Sequence, residues 1–185
     1  MFPILWVILG AVALLLLLAW SYFNRFAVLT NRIENSSAQI DVQLKKRADL
    51  VPNLVETVKG YMKHEKSVVQ SVTDARKVLV GAKGFAEKVK AGDVLGNALG
   101  RIFAIAENYP NLKANENFLE LQRELSSIED KIAYARQFYN DSILEYDNLR
   151  STFPGNMFAS IFNKPVKPYL QIPESSREPV KVKFD

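Results

Sequence analysis

His64 is the only imidazole in this chain of 185 residues, and there is no cysteine. A transition-metal site needs three or four ligands, and Glu65, next to His64, points to another side of a helix. The surrounding Lys63-His64-Glu65-Lys66-Ser67 lacks the His-x-x-Lys-Gly context of phosphotransfer helices. The serines have no second base to activate them and no Gly-rich elbow to expose them. No Gly-Lys-Ser/Thr loop is present to cradle a phosphate. The chemistry of the side chains thus predicts no enzyme, no cofactor, no metal and no small-molecule substrate.

The polar residues of interest are those that interrupt apolar patterns. Leu29, Ile33, Ile40, Leu44, Val51, Leu54, Val58, Tyr61, Val68, Val72, Ala75 and Leu79 recur in alternating steps of three and four, with one irregularity near Ile40. Ser36, Arg47 and Glu65 occupy positions on that seam that should be apolar. An Arg or a Glu in a helical core costs several kcal/mol unless it is paired. Arg47 and Glu65 are therefore expected to form interior pairs that fix register. In the alternative, the seam drifts after Ile40 and both reach solvent.

The elements that carry these residues begin with Phe2 to Phe23, an uncharged, almost wholly apolar run. As a helix it rises about 1.5 Å per residue and spans roughly 30 Å, the hydrocarbon thickness of a bilayer. Trp6 near one end and Trp20, Tyr22 and Phe23 at the other suit membrane interfaces. Ala19 and Ser21 loosely resemble a signal-peptide cleavage site. However, no Lys or Arg precedes the run, and it exceeds the usual apolar core of ~7–15 residues. The reading is a retained anchor over 1–23. Arg25 and Arg32 follow closely, with Lys45, Lys46 and Arg47 beyond, so the positive-inside rule places the remainder in the cytoplasm.

No Gly or Pro lies between Ala11 and Val51, so the anchor should continue as one helix to about residue 80. Pro52 lacks an N–H and clashes with the carbonyl of Ala48, which predicts a kink or a restart near Asp49 to Val51. Gly81 and Gly84 end that helix, and a shorter one fits Asp93 to Asn108, stopping at Tyr109-Pro110. A third runs from Asn115 to Phe153 on the seam Leu121, Leu125, Ile128, Ile132, Ala135, Tyr139, Ile143, Tyr146 and Leu149. The expected fold is all-α. A transmembrane helix continues into an up-and-down bundle of three to four long helices over 24–153. Five of the eight prolines fall in 154–185, which reads as an extended tail ending in Val180-Lys181-Val182-Lys183-Phe184 and docked on its own bundle or a neighbouring chain. The net charge of +4 is spread thinly, so no nucleic acid is expected as a partner.

Three separated stretches agree in order with one family. They are IDVQLKKRADLVPNLVETVKGYMKHE (Ile40 to Glu65) followed by Ala75-Arg76, ENYPNLKANENFLELQREL (Glu107 to Leu125), and IAYARQFYNDSILEYDNLRSTFP (Ile132 to Pro154). They resemble the LemA family of bacterial membrane proteins over nearly all the chain beyond the anchor, with Tyr146-Asp147 where the family more often has Tyr-Asn. The resemblance implies an N-terminal anchor in the bacterial inner membrane and a bundle of long helices, but no reaction. Polar residues within the matching motifs are candidates for a structural polar network or a partner surface: Asp41, Arg47, Asn53, Glu65, Arg76, Glu107, Arg136 and Asn140. The leading expectation is a non-enzymatic, membrane-anchored scaffold that self-associates or docks other membrane proteins. The alternative is a signalling or stress-linked adaptor that presents partners to a membrane protease through its tail.

Overall fold

The computed structural model describes residues 2–171, and every regular element among them is a helix. The elements are α1 (Phe2–Lys59), α2 (Lys66–Gly81), α3 (Phe85–Ala106), α4 (Pro110–Lys113), α5 (Glu116–Ser151) and α6 (Gly155–Ile161). The all-α bundle behind a long N-terminal apolar helix is as the residue pattern predicts. The closing Val180–Phe184 stretch lies outside the described residues.

α1 changes character along its length. Its first part exposes Ile4, Leu5, Trp6, Val7, Ile8 and most of the apolar side chains that follow to Trp20. From Phe26 onward one stripe turns inward: Phe26, Leu29, Ile33, Ser36, Ile40, Leu44, Arg47, Val51, Leu54 and Val58 are all buried. The steps of three and four are those of an amphipathic helix, so the seam does not drift at Ile40.

Three boundaries differ from the sequence-based expectation. Pro52 neither breaks nor restarts α1. The Ala48 carbonyl, which Pro52 cannot bond for want of an N–H, instead accepts the Arg76 Nε–H at 2.8 Å. A side chain from α2 thus satisfies the acceptor that proline leaves open. Second, the long helix stops at Lys59 rather than near residue 80. The amides of Tyr61 and Met62 both return to the Val58 carbonyl, and Met62 is buried in the turn. Gly60, about 1 kcal/mol worse than alanine in a helix, marks the break. Third, α3 begins at Phe85, well before Asp93. Gly92, inside it, is a contact residue, because a β-carbon there would overlap the Leu44 side chain of α1.

The chain forms two compact units. Among the described residues the first comprises 2–36 with 136–170, and the second comprises 37–135 with 171. In the second, the inward stripes of α2 (Val72, Ala75, Leu79), α3 (Leu95, Leu99, Ile102) and the start of α5 (Phe118, Leu125, Ile128, Ile132) build the core. In the first, Tyr139, Ile143, Tyr146 and Leu149 of α5 are buried, and Phe26 meets Tyr146 edge-on at 5.7 Å.

The region after Phe153 is not extended throughout, since residues 155–161 form α6. α6 closes where Asn163 takes a φ of 49°, a left-handed conformation that asparagine tolerates, and the Lys164 amide bonds back to the Ala159 carbonyl. Beyond it, residues 164–171 have no regular secondary structure.

Candidate functional site

Two sets of polar side chains are organised by the fold, one in each unit. In the second unit Arg47 is the centre. Its side chain is 3% exposed, and its guanidinium donates to the Gly92 carbonyl of α3 at 3.1 Å and to the Glu129 carboxylate of α5. Gly96 belongs to the same site, because a β-carbon there would come within 3.2 Å of the Arg47 guanidinium. Glycines one turn apart on α3 make room for a buried arginine that joins three helices. The expected pairing of Arg47 is present, although its partner Glu129 lies largely at the surface. Nearby, Asp41 of α1 pairs with Lys88 of α3, and Arg76 of α2 holds the Ala48 carbonyl.

Glu65 departs from the expectation. The break at Gly60 takes it off the seam, and it sits half-buried at the N-terminal end of α2 without capping the helix through its side chain. Its carboxylate faces the Tyr109 hydroxyl at 3.5 Å, at the outer limit of a hydrogen bond. Asn53 and Glu107 are exposed, so neither joins the Arg47 cluster. Ser36, fully buried on the seam, is satisfied within its own helix, its hydroxyl donating to the Arg32 carbonyl at 2.6 Å.

In the first unit, α5 presents a ladder to residues 164–170. Asn140 bonds both backbone groups of Leu170, its amide donating to the carbonyl at 3.0 Å and its oxygen accepting from the N–H at 2.9 Å. The Tyr139 hydroxyl donates to the Pro168 carbonyl at 3.3 Å, that of Tyr146 to the Pro165 carbonyl at 2.9 Å, and Arg150 Nε to the Lys164 carbonyl at 3.1 Å. Four of these five bonds end on main-chain carbonyls, and the fifth takes the Leu170 N–H, so the segment is held by its backbone. Burial pushes both tyrosine hydroxyls above their ordinary pKa; Asp147 adds to the rise at Tyr146 while Arg150 opposes it. Arg136 is half-buried on the same helix. Tyr139, Tyr146 and Arg150 were not among the residues singled out from the sequence. The apolar seam absorbed the tyrosines as core, and the hydroxyl at the far end of each ring is what reaches the tail.

A groove of about 630 Å³ in this unit is lined by Tyr22, Asn24, Arg25, Arg32, Glu145 and Asn148 among others. Arg32 and Glu145 bond across it at 3.1 Å, both largely exposed. No group of three or more His, Asp or Glu side chains able to hold a metal ion occurs among the described residues.

The sequence aligns with the model of the LemA family over residues 36–184. The chain belongs to the LemA family. Among curated relatives, magnetosome protein MamQ of Magnetospirillum gryphiswaldense is 26% identical over 83% of this chain, and protein LemA of Metamycoplasma hominis is 28% identical over 70%. This LemA-family chain spans 66% of the length of the MamQ relative and 59% of that of the LemA relative. The family match starts beyond the apolar run, which among the described residues is the one helical stretch long and apolar enough to cross a membrane, with none of its most apolar window buried. Together these describe a membrane-associated protein with one candidate N-terminal span among the described residues.

Proposed function

We propose that this LemA-family chain is a non-enzymatic scaffold, anchored by residues 1–23, which self-associates or docks other membrane proteins through the bundle of residues 24–153. The observation that carries the reading is the continuity of α1. One helix of 58 residues, about 87 Å at 1.5 Å per residue, leads from the apolar run into the amphipathic stripe without interruption. Such a helix ties the apolar run to the bundle through one unbroken backbone, which supports a docking platform held at the membrane. The organised polar side chains support the same reading, since Arg47, Arg76 and Asn140 are engaged in bonds that hold helices or tail in place. Asn53 and Glu107, exposed, remain for a partner surface. Arg25 and Arg32 behind the span favour a cytoplasmic bundle. In this reading the tail begins with α6 and is docked on α5 through residues 164–170.

Gently solubilised membranes containing the full-length protein provide the test, through chemical cross-linking and affinity purification. The expected result is a stoichiometric complex, of copies of the chain or of the chain with another membrane protein. A monomer that co-purifies with nothing would overturn the reading.

A further inference from the structure

The stretch after α5 carries apolar side chains that nothing in the first unit covers. Phe153 is 79% exposed, Ile161 70% and Met157 55%. Along α6, Gly155, Phe158, Ala159 and Phe162 turn inward, Asn156 and Ser160 form a polar face, and Met157 and Ile161, four apart, share a third. The inward face is fixed to the last turn of the apolar run. Phe158 stacks on Tyr22 with ring centres 4.9 Å apart, and Phe162 meets Phe23 edge-on at 5.4 Å. Gly155 secures the start, because a β-carbon there would overlap the Leu149 carbonyl oxygen.

We propose that α6 is an interfacial foot: Phe153, Met157 and Ile161 enter the boundary between headgroups and acyl chains of the same bilayer that α1 crosses. The inference rests on the anchor reading above. Lipid is the occupant because of where α6 is held. Tyr22 and Phe23 end a span of roughly 30 Å, so a helix stacked on their rings lies at the depth where aromatic side chains meet headgroups. The charges agree with an anionic lipid surface. Lys164 Nζ stands 5.5 Å from the Phe23 ring and the Arg25 guanidinium 5.8 Å from that of Tyr22, and no Asp or Glu occurs from Asn148 to Gln171. A short helix with apolar residues on one face and cations beside it is suited to the interface plane, and lysine and arginine stems reach from apolar surroundings to phosphates.

The absence of cysteine makes site-directed spin labelling direct. Single-cysteine variants at Leu15, Asn156, Met157, Ser160 and Ile161 of the full chain would be labelled in nanodiscs containing phosphatidylglycerol. Their accessibility to oxygen, which concentrates in lipid, would be compared with that to a water-soluble nickel chelate. Labels at 157 and 161 should shift toward oxygen, as at 15, while labels at 156 and 160 favour nickel. Nickel access at 157 and 161 with position 15 in lipid would overturn the foot and leave the anchor standing. Position 15 in water would overturn the anchor, and the foot with it. Labels at 157 and 161 shielded from both reagents and broadened by spin–spin coupling would assign the face to a second copy, which also overturns the foot.

Discussion

The two units use polar side chains in different ways. In the second unit a buried guanidinium ties helices together: Arg47 joins α1 to a backbone carbonyl of α3 and a carboxylate of α5. In the first, Asn140, Tyr139, Tyr146 and Arg150 hold one extended segment by its main chain. Loss of the first kind should be felt by the whole unit, because three helices share the charge. Loss of the second should release a segment and leave the helices standing. The comparison separates groups that stabilise the bundle from groups that decide whether a tail is docked.

The largest effect is expected at the centre of the second unit. Arg47→Met removes the charge-assisted hydrogen bond to the Gly92 carbonyl, and a hydrogen bond made by a charged group contributes roughly 1.5–3 kcal/mol. Glu129, being largely exposed, can return to water, so the loss should fall short of the 3–5 kcal/mol expected when a fully buried partner is stranded. Chemical denaturation of the full chain in detergent should show a loss of about 2 kcal/mol. No change would mean that methionine packs the site as well as the charge does, and the contrast between the units would fail.

Asn140→Ala tests the other side of the comparison. It removes two bonds to Leu170, each contributing about 0.5–1.5 kcal/mol. Local opening of residues 164–170 should become roughly tenfold more frequent per ~1.4 kcal/mol lost, read as faster proteolysis of that segment with the bundle's denaturation midpoint nearly unchanged. A matching fall in the midpoint would show that the tail is part of the core.

Alkaline pH should act on the same ladder. The folded-state pKa of Tyr139 and of Tyr146 lies above the ordinary 10.0. Their contribution is fully present below that value and lost as pH rises through the raised one, when each hydroxyl loses the proton it donates. Proteolysis of 164–170 should therefore accelerate above about pH 10, and Tyr146→Phe should lessen the pH dependence while raising the basal rate.

Most of the fold was legible because it follows from periodicity. The α1 stripe from Phe26 to Val58 and the α5 stripe from Leu125 to Leu149 are buried where the steps of three and four place them. Arg47 was legible as well, as a charge on an apolar seam. The misreadings concern features that depend on a second element. Pro52 reads as a breaker until Arg76, 24 positions later, supplies the donor for Ala48. Gly92, just ahead of Asp93, reads as a helix start until Leu44 fills the space it leaves. α6 lies among prolines that suggest extended chain, and its aromatic docking partners, Tyr22 and Phe23, are far away in sequence.

That dependence gives an intermediate prediction. Arg76→Met leaves the Ala48 carbonyl without the donor that replaces the missing proline N–H, and should cost about 1 kcal/mol. The companion change Pro52→Ala restores an N–H at the same place, so the double variant should recover most of the loss. Denaturation midpoints of the two single variants and the double variant form the cycle. If Pro52→Ala gives no recovery, then Arg76 contributes through packing alone.

The smallest effect is expected at Glu65, although the sequence pattern alone ranks it with Arg47. Were α1 continuous to residue 80, Glu65 would face the core and Glu65→Leu would change an interior charge. The chain instead turns at Gly60, Glu65 is half-buried ahead of α2, and the Tyr109 hydroxyl approaches its carboxylate at 3.5 Å. A contact of that length contributes little, and a half-exposed carboxylate has lost little hydration. Glu65→Leu should therefore shift stability by less than about 0.5 kcal/mol, the usual range for surface substitutions. The same denaturation measurement that reads Arg47→Met would read this variant beside it. A loss approaching that of Arg47 would place Glu65 in the interior after all and restore the unbroken seam, whereas a negligible shift separates two charges that the sequence pattern treats alike.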